Sequence, residues 1–321
     1  MRTSLSNAQK INLVSSQGER FSYYHCDEFC IGSGAMGEVY KGWCADYPEQ
    51  KVAIKKVYNR HAENPQIRDR AKYEASLSIN HPNLIRMLGY CEFDRQRGPV
   101  FIVSELIRGE TIDKFVTGIE LSMRADIVSR MICSALDALA CLHSQNPPVW
   151  HRDLKPSNIM VENARNIKIM DLGIATSDGI SFGTLEGRGF GTYPYAPPEQ
   201  ITGQRNMINA TSDLYSLGIT FYELLTGVNP FAGGSDVDIL ERQITMNLPH
   251  NKCIPPRLFK VLLKATAKKQ SDRYQSAQAF KEAILQAIQP SQGIHSQWVL
   301  AGGIIAVALL LITLVLILLN I

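Results

Sequence analysis

His151-Arg-Asp-Leu-Lys-Pro-Ser-Asn158, followed thirteen positions later by Asp171-Leu-Gly173, is the stretch on which the reading of this chain turns. Asp153 precedes Asn158 by five positions and Asp171 by eighteen, with Lys155 between them. Asn158 and Asp171 are hard oxygen donors of the kind that suit Mg2+, which takes few carboxylates and several phosphate oxygens. Lys155 is a compact cation able to neutralise a phosphoryl group in transit, and Asp153 can orient a hydroxyl and accept its proton. Two carboxylates and an amide in loops can also be turn formers and caps, so the surrounding sequence has to choose.

Upstream, Phe29 and Ile31 alternate with polar residues into Gly32-Ser-Gly-Ala-Met-Gly37, and Val39 and Trp43 alternate after it. This predicts two strands joined by a glycine-rich turn. Gly32, Gly34 and Gly37 let the backbone fold tightly over phosphates and aim N–H groups at their oxygens. Dinucleotide-binding folds use the same spacing, but there a helix follows, whereas Glu38-Val-Tyr-Lys41 reads as another strand. The next alternating run, Val52-Ala-Ile-Lys-Lys-Val57, places Lys55 on the face of Ala53 and Val57, within reach of α- and β-phosphates. A helix is expected over about 65–79, with Glu74 as the acidic candidate to pair with Lys55. Residues 101–109 read as a buried strand entering a connector. Apolar residues at Ile127, Met131, Ile132, Leu136 and Leu139 predict a long amphipathic helix from Leu121 to His143.

The 321 residues carry 45% apolar and 20% charged side chains and a net charge of +3. That is ordinary globular composition and makes no case for a nucleic-acid partner. Seven scattered cysteines without Cys-x-x-Cys pairs suit free thiols in a reducing compartment. No apolar stretch opens the chain, so export by a signal peptide is not expected. Residues 299–319, by contrast, contain no charge, and Thr313 is their one hydroxyl. As a helix they span about 31 Å, against about 30 Å for a bilayer core. Trp298 stands where an interfacial aromatic belongs. The expected organisation is an irregular leader over 1–20, a catalytic domain over 21–289, a linker over 290–297 and a transmembrane helix over 298–319. Gly302 and Ala306 form one small-xxx-small pair, a spacing that would admit a homodimer through the membrane helix.

Taken together, these motifs resemble the eukaryotic-type (Hanks-type) protein kinases over roughly residues 22–288. Lys155 two after Asp153 is the Ser/Thr version of the catalytic loop. Ser212-Asp-Leu-Tyr-Ser-Leu-Gly218 and Arg273-Tyr-Gln-Ser-Ala277 are similar to the bacterial membrane-anchored branch, whereas Leu88-Gly-Tyr-Cys91 is similar to plant receptor-like kinases. The resemblance implies an α+β, bilobal fold: a small β-rich N-lobe (about 21–104) and a larger helical C-lobe (about 105–289). It implies ATP with Mg2+ or Mn2+, protein substrates bearing Ser or Thr, and an adenine held by Ile31, Val39, Ala53, Met160 and the connector from Glu105. Ser104 falls at the position that gates the pocket behind the adenine. Asp213 would buttress the catalytic loop, Arg273 would pair with Glu199, and Thr192 would belong to the Ser/Thr-selective peptide platform. Arg152 would hold a phosphate added to the activation segment, with Thr184 and Ser181 the foremost sites.

Four departures stand out. Leu172 replaces the usual phenylalanine, Pro197-Pro-Glu199 replaces Ala-Pro-Glu, and Gly191-Thr-Tyr-Pro-Tyr195 is altered beside it. Only eight positions separate Glu74 from Pro82 where ten are usual, which shortens the end of that helix. The expected function is an autophosphorylating Ser/Thr kinase on the cytosolic face of a membrane. The alternatives are a catalytically dead pseudokinase scaffold, opposed by the presence of Lys55, Asp153, Asn158 and Asp171, and a small-molecule kinase, opposed by Thr192 and Glu199.

Overall fold

The computed structural model describes residues 8–289 apart from 15–19, 35–36, 59–60, 62, 93–98, 164–165 and 172–192. One compact unit runs from Met1 to Ala287; of the second, Ile288–Ile321, only the first two residues are described. The predicted transmembrane helix therefore lies outside the described residues, and no helix among them is long and apolar enough to cross a membrane.

The N-lobe is a closed antiparallel barrel in the order β1-β2-β3-β4-β6-β5. Its strands are β1 (Gln9–Val14), β2 (Arg20–Ser33), β3 (Gly37–Cys44), β4 (Lys51–Val57), β5 (Met87–Glu92) and β6 (Val100–Glu105). Alternation sorts each strand into two faces. Tyr40, Cys44, Val52, Ile54, Phe101 and Val103 turn inward and are buried, while Val39, Ala53 and Lys55 turn outward and are half-buried. The barrel wall also buries His25, whose ring lies 5.1 Å from Tyr40 and 5.5 Å from Phe101.

β1 corrects the expected leader. Residues 9–14 pair with β2 from Gln9↔His25 to Val14↔Arg20, and Val14 also meets Tyr90 on β5, which closes the barrel. Ile11 and Leu13 are fully buried in its core. The lobe thus begins at residue 9, not 21. The cause is visible in Lys10-Ile11-Asn12-Leu13, a period-2 pattern that buries one face.

Helix α1 (Pro65–Ser76) packs Ala71 and Ala75 against Val57, Val100 and Ile102. It stops three residues short of the expected end. Leu77 N–H bonds the Glu74 carbonyl at i−3 and the Ser76 hydroxyl donates to the Tyr73 carbonyl, tightening and ending the last turn. On its other side, Arg68 and Lys72 converge on Glu92 of β5, at 3.1 and 2.8 Å, and Tyr90 Oη donates to the same carboxylate at 2.8 Å.

The C-lobe begins with β7 (Gly109–Thr111) and α2 (Ile112–Thr117). Helix α3 spans Leu121–His143, the bounds the apolar spacing predicted, and buries Val128, Met131, Ile132, Leu136, Leu139 and Leu142. β8 (Ile159–Glu162) and β9 (Asn166–Ile169) form a small sheet with β7. The remaining helices are α4 (Pro198–Ile201), α5 (Ala210–Thr226), α6 (Asp236–Thr245), α7 (Pro256–Ala265) and α8 (Ala277–Ile288). α5 is buried on nearly all sides, and apart from Asp213 and Glu223 its sequence is apolar, hydroxyl-bearing or glycine. A capping box of Asn209 and Ser212 starts it, and Gly227 ends it in the left-handed region at φ 79°.

Candidate active site

The catalytic loop hangs between α3 and β8 and is fixed from beneath by Asp213 of α5. That carboxylate is 1% exposed and accepts the His151 N–H at 2.9 Å, the Arg152 N–H at 2.8 Å and His143 Nε2 at 2.8 Å. Burial opposes its charge, but His143, the His151 ring and the Arg152 amide outweigh that and hold its pKa below the ordinary carboxylate value. The clamp holds Arg152 in the left-handed region, φ 64°, which bends the loop so that Asp153 faces outward. His151 Nε2 meets the Met170 carbonyl at 2.9 Å, and its Nδ1 accepts the Asp153 N–H at 3.3 Å. Leu154, 1% exposed, pins the loop into the core.

Above this base the predicted groups come together. Asp153 Oδ2 accepts from Lys155 Nζ at 2.9 Å and from Asn158 Nδ2 at 3.0 Å. Asn158 Nδ2 also donates to the Asp153 carbonyl at 2.8 Å, so its amide nitrogen is committed and Oδ1 is the atom left for a cation. β4 delivers Lys55 from the other lobe, and its Nζ lies 2.8 Å from Asp171 Oδ1. Asp171 has φ 46°, a second strained backbone position beside the same chemistry.

The expected Lys55–Glu74 ion pair is not closed: the lysine's ion-pair partner is Asp171. Burial works to lower the pKa of Lys55, but Asp171 and then Glu74 outweigh it and raise it. Glu74 is 8% exposed. Burial lifts its carboxyl to about 7 against the pull of Lys55, with Asp171 adding to the rise. The early end of α1 leaves Glu74 in its last turn, facing the lysine without reaching it.

On the barrel's outer face Val39 stands directly opposite Lys55 in register, and Ala53 opposite Ser104. Ile31 is 54% exposed at the lip. Met160 of β8 is half-buried between Thr111 and Lys168 in the small sheet. Glu105 opens the connector with its side chain already engaged. Its Oε1 accepts from Lys168 at 2.6 Å and from the Arg86 N–H at 2.9 Å, and its own N–H bonds the Arg86 carbonyl at 3.0 Å. Its side chain is a structural tie, so what it offers a ligand is its carbonyl.

The described glycines of the loop, Gly32, Gly34 and Gly37, divide into two kinds. A side chain built at Gly32 or Gly34 would meet nothing within 4 Å, whereas at Gly37 it would run into the Lys56 carbonyl. The first two therefore face open space, and the third needs to be glycine for strand contact. Open backbone, a cation in Lys55 and oxygen donors in Asn158 and Asp171 fit a nucleotide triphosphate with a divalent ion. The expected phosphorylation sites Ser181 and Thr184, and the platform residue Thr192, lie outside the described residues.

Arg273 and Glu199 form the buried bidentate pair implied above, at 2.8 and 2.9 Å, and Ser212 Oγ donates to the same carboxylate at 2.6 Å. Sequence reasoning missed His143 as a partner of Asp213, and it missed Gln243, fully buried against the turn Tyr193–Tyr195. Neither sits in a local pattern that would mark it.

A family model for the protein kinase domain matches residues 26–285. The chain is 34% identical over 290 residues to the serine/threonine-protein kinase pkn3 of Myxococcus xanthus, covering 84% of this chain and 51% of that protein. It is 33% identical over 251 residues to a probable serine/threonine-protein kinase PknB of Lactococcus lactis, covering 76% and 39%. The chain thus spans about half, or less, of the length of these relatives. The crystal structure of the Mycobacterium tuberculosis PknI kinase domain superposes with a TM-score of 0.60 at 22% identity, over 83% of this chain and 95% of that one, which is a likeness of fold.

Proposed function

The chain belongs to the protein kinase family, and on that premise we propose that it is an active bacterial Ser/Thr protein kinase held at a membrane by residues 298–319. The observation that carries the reading is the convergence of Lys155 and Asn158 on Asp153 beside the Lys55–Asp171 pair. The Asp153 carboxylate orients the incoming hydroxyl and takes its proton. Lys155 balances the negative charge that moves with the phosphoryl group. Lys55 exchanges Asp171 for nucleotide phosphate, which releases the Asp171 oxygens. Asn158 Oδ1 and Asp171 would hold Mg2+ or Mn2+, which supplies charge neutralisation at the phosphate oxygens. Catalysis on this plan is positioning and electrostatics, with no covalent step on the protein.

Val39, Ala53, Met160 and Ile31 would enclose the adenine. On the same reading autophosphorylation falls within residues 176–184, Thr184 or Ser181 foremost, with Arg152 as the receiving cation. Membrane attachment rests on the uncharged run 299–319. A pseudokinase reading has no support in a chain that keeps Lys55, Asp153, Asn158 and Asp171.

The test is incubation with labelled ATP and peptides that offer serine, threonine or tyrosine, wild type beside Asp153→Asn and Asp171→Ala. Label on serine and threonine peptides with wild type alone is expected. No label above the variants would end the reading as an enzyme, and tyrosine label alone would end the Ser/Thr assignment. Recovery of the chain in the soluble fraction after a carbonate wash would end the anchoring.

A further inference from the structure

The turn Tyr193–Tyr195 lies at the end of the stretch read as the peptide platform. It contains Pro194, which has no N–H to contribute, and its own backbone closes the Ala196 N–H to Tyr193 carbonyl bond, at 3.1 Å. Such a turn must be held from outside. Tyr195 Oη ties its far end to Glu223 at 2.6 Å, and its carbonyls are held by the side-chain amide of Gln243 on α6, which is fully buried. Its Nε2 donates to the Tyr193 carbonyl at 3.3 Å and, more closely, to the Pro194 carbonyl.

The amide is itself oriented. Gln243 Oε1 accepts from Tyr215 Oη at 2.6 Å, which leaves Nε2 pointing at the turn. Tyr215 Oη in turn accepts from Lys268 Nζ at 2.9 Å. The Tyr215 ring carries the Arg273 guanidinium 4.7 Å from its centroid, and that guanidinium is the partner of Glu199. A directed chain of donors thus runs Lys268, Tyr215, Gln243, Pro194. It shares the Tyr215 ring with the ion pair that anchors the platform's other end. Asn229 Nδ2 reaches the Pro194 carbonyl at 3.4 Å as a weaker second contact.

We propose that Gln243 is a positioning residue for the peptide substrate: through the Tyr193 and Pro194 carbonyls it sets the shape of the platform that reads the residues flanking the phosphoacceptor. This rests on the protein-kinase reading above. Buried amides that span two elements fix geometry because each unmet bond costs the desolvation of its group. Gln243 touches neither Asp153, Lys155, Asn158 nor the Lys55–Asp171 pair, so its loss acts on peptide recognition and leaves nucleotide handling alone.

The experiment uses the full chain in detergent, ATP, and a positional-scanning library of serine and threonine peptides. Wild type is compared with Gln243→Leu and with Tyr215→Phe, which removes one hydroxyl and keeps the ring under Arg273. Gln243→Leu is expected to raise the KM for peptide about five- to tenfold, from the loss of two hydrogen bonds. It should flatten the preference at positions flanking the acceptor and hold the KM for ATP within about twofold. Tyr215→Phe should shift the same peptide parameters in the same direction by a smaller factor. Unchanged peptide KM and preference in both variants overturns the proposal. So does a parallel rise of peptide and ATP KM in Tyr215→Phe, which marks general loosening of the lobe. A wild type that labels no peptide overturns the kinase reading itself, and this inference with it.

Discussion

Lys55 Nζ bonds Asp171 Oδ1 at 2.8 Å, and Glu74 stands behind them buried and unclosed. One lysine therefore faces two carboxyl groups, and it is Asp171 that holds it. The consequence is electrostatic: Lys55 keeps Asp171 ionised, while burial favours the neutral form of Glu74.

The first prediction follows from Glu74. Its folded pKa of about 7 lies above the ordinary 4.5. The native state thus holds a proton that the unfolded chain has released, and stability falls as pH rises between those values. The cost above pH 7 is on the order of 3 kcal/mol. Glu74→Gln should abolish this part of the slope and raise the melting temperature above that of wild type at pH 8. Melting curves from pH 4.5 to 8 with the same slope in both proteins would refute it.

Asp213 behaves in the opposite sense. Its folded pKa is depressed, so its contribution is present above the ordinary carboxylate value and is lost as pH falls through the folded one. Asp213→Asn places an NH2 group against N–H donors of the loop. Urea titration at pH 7 should show a loss of about 3 kcal/mol. Under conditions where the variant is folded, kcat should drop at least tenfold, because Arg152 and Asp153 lose their support. A variant with wild-type kcat would show that the loop holds its own shape.

β1 gives a third. Ile11 and Leu13 are fully buried, and the strand closes the barrel between β2 and β5. Ile11→Ala or Leu13→Ala should each cost about 3 kcal/mol. Lys10→Ala, on the outer face, should cost under about 0.5 kcal/mol. Equal effects of inner and outer substitutions would mean the strand is not part of the core.

β1 also shows where the sequence was legible and where it was not. Long periodic segments were: α3 spans Leu121–His143 as its apolar spacing required. The catalytic loop was legible because chemistry restricts those residue types, and the Arg273–Glu199 pair only through the family resemblance. Residues 9–14 alternated as plainly as β3, but they sit alone ahead of the glycine turn, and a strand's partner cannot be read from its own pattern. Glu74 and Glu105 were identified as residues, but their partners depended on where α1 ended and how Lys168 of β9 reached across. Gln243 acts through a contact fifty positions away in sequence, which no local pattern records.

The last prediction concerns Ser104. It lies opposite Ala53 on β4 and Met87 on β5, so two small side chains face each other across β4 and β6 on the side that carries Lys55. Serine at 104, 9% exposed and bonded to the Glu105 carbonyl at 3.4 Å, is smaller than the residue usual at this position and should admit an apolar group on a ligand that a bulkier side chain would exclude. An aromatic substituent buried there contributes about 2 kcal/mol, roughly thirtyfold in affinity. Purine analogues with a bulky aromatic group should therefore inhibit the wild type competitively with ATP. Ser104→Phe should lose that inhibition by about thirtyfold and keep its KM for ATP within about threefold. Equal inhibition of the two proteins would show that neighbouring side chains, Met87 first among them, already occupy the space.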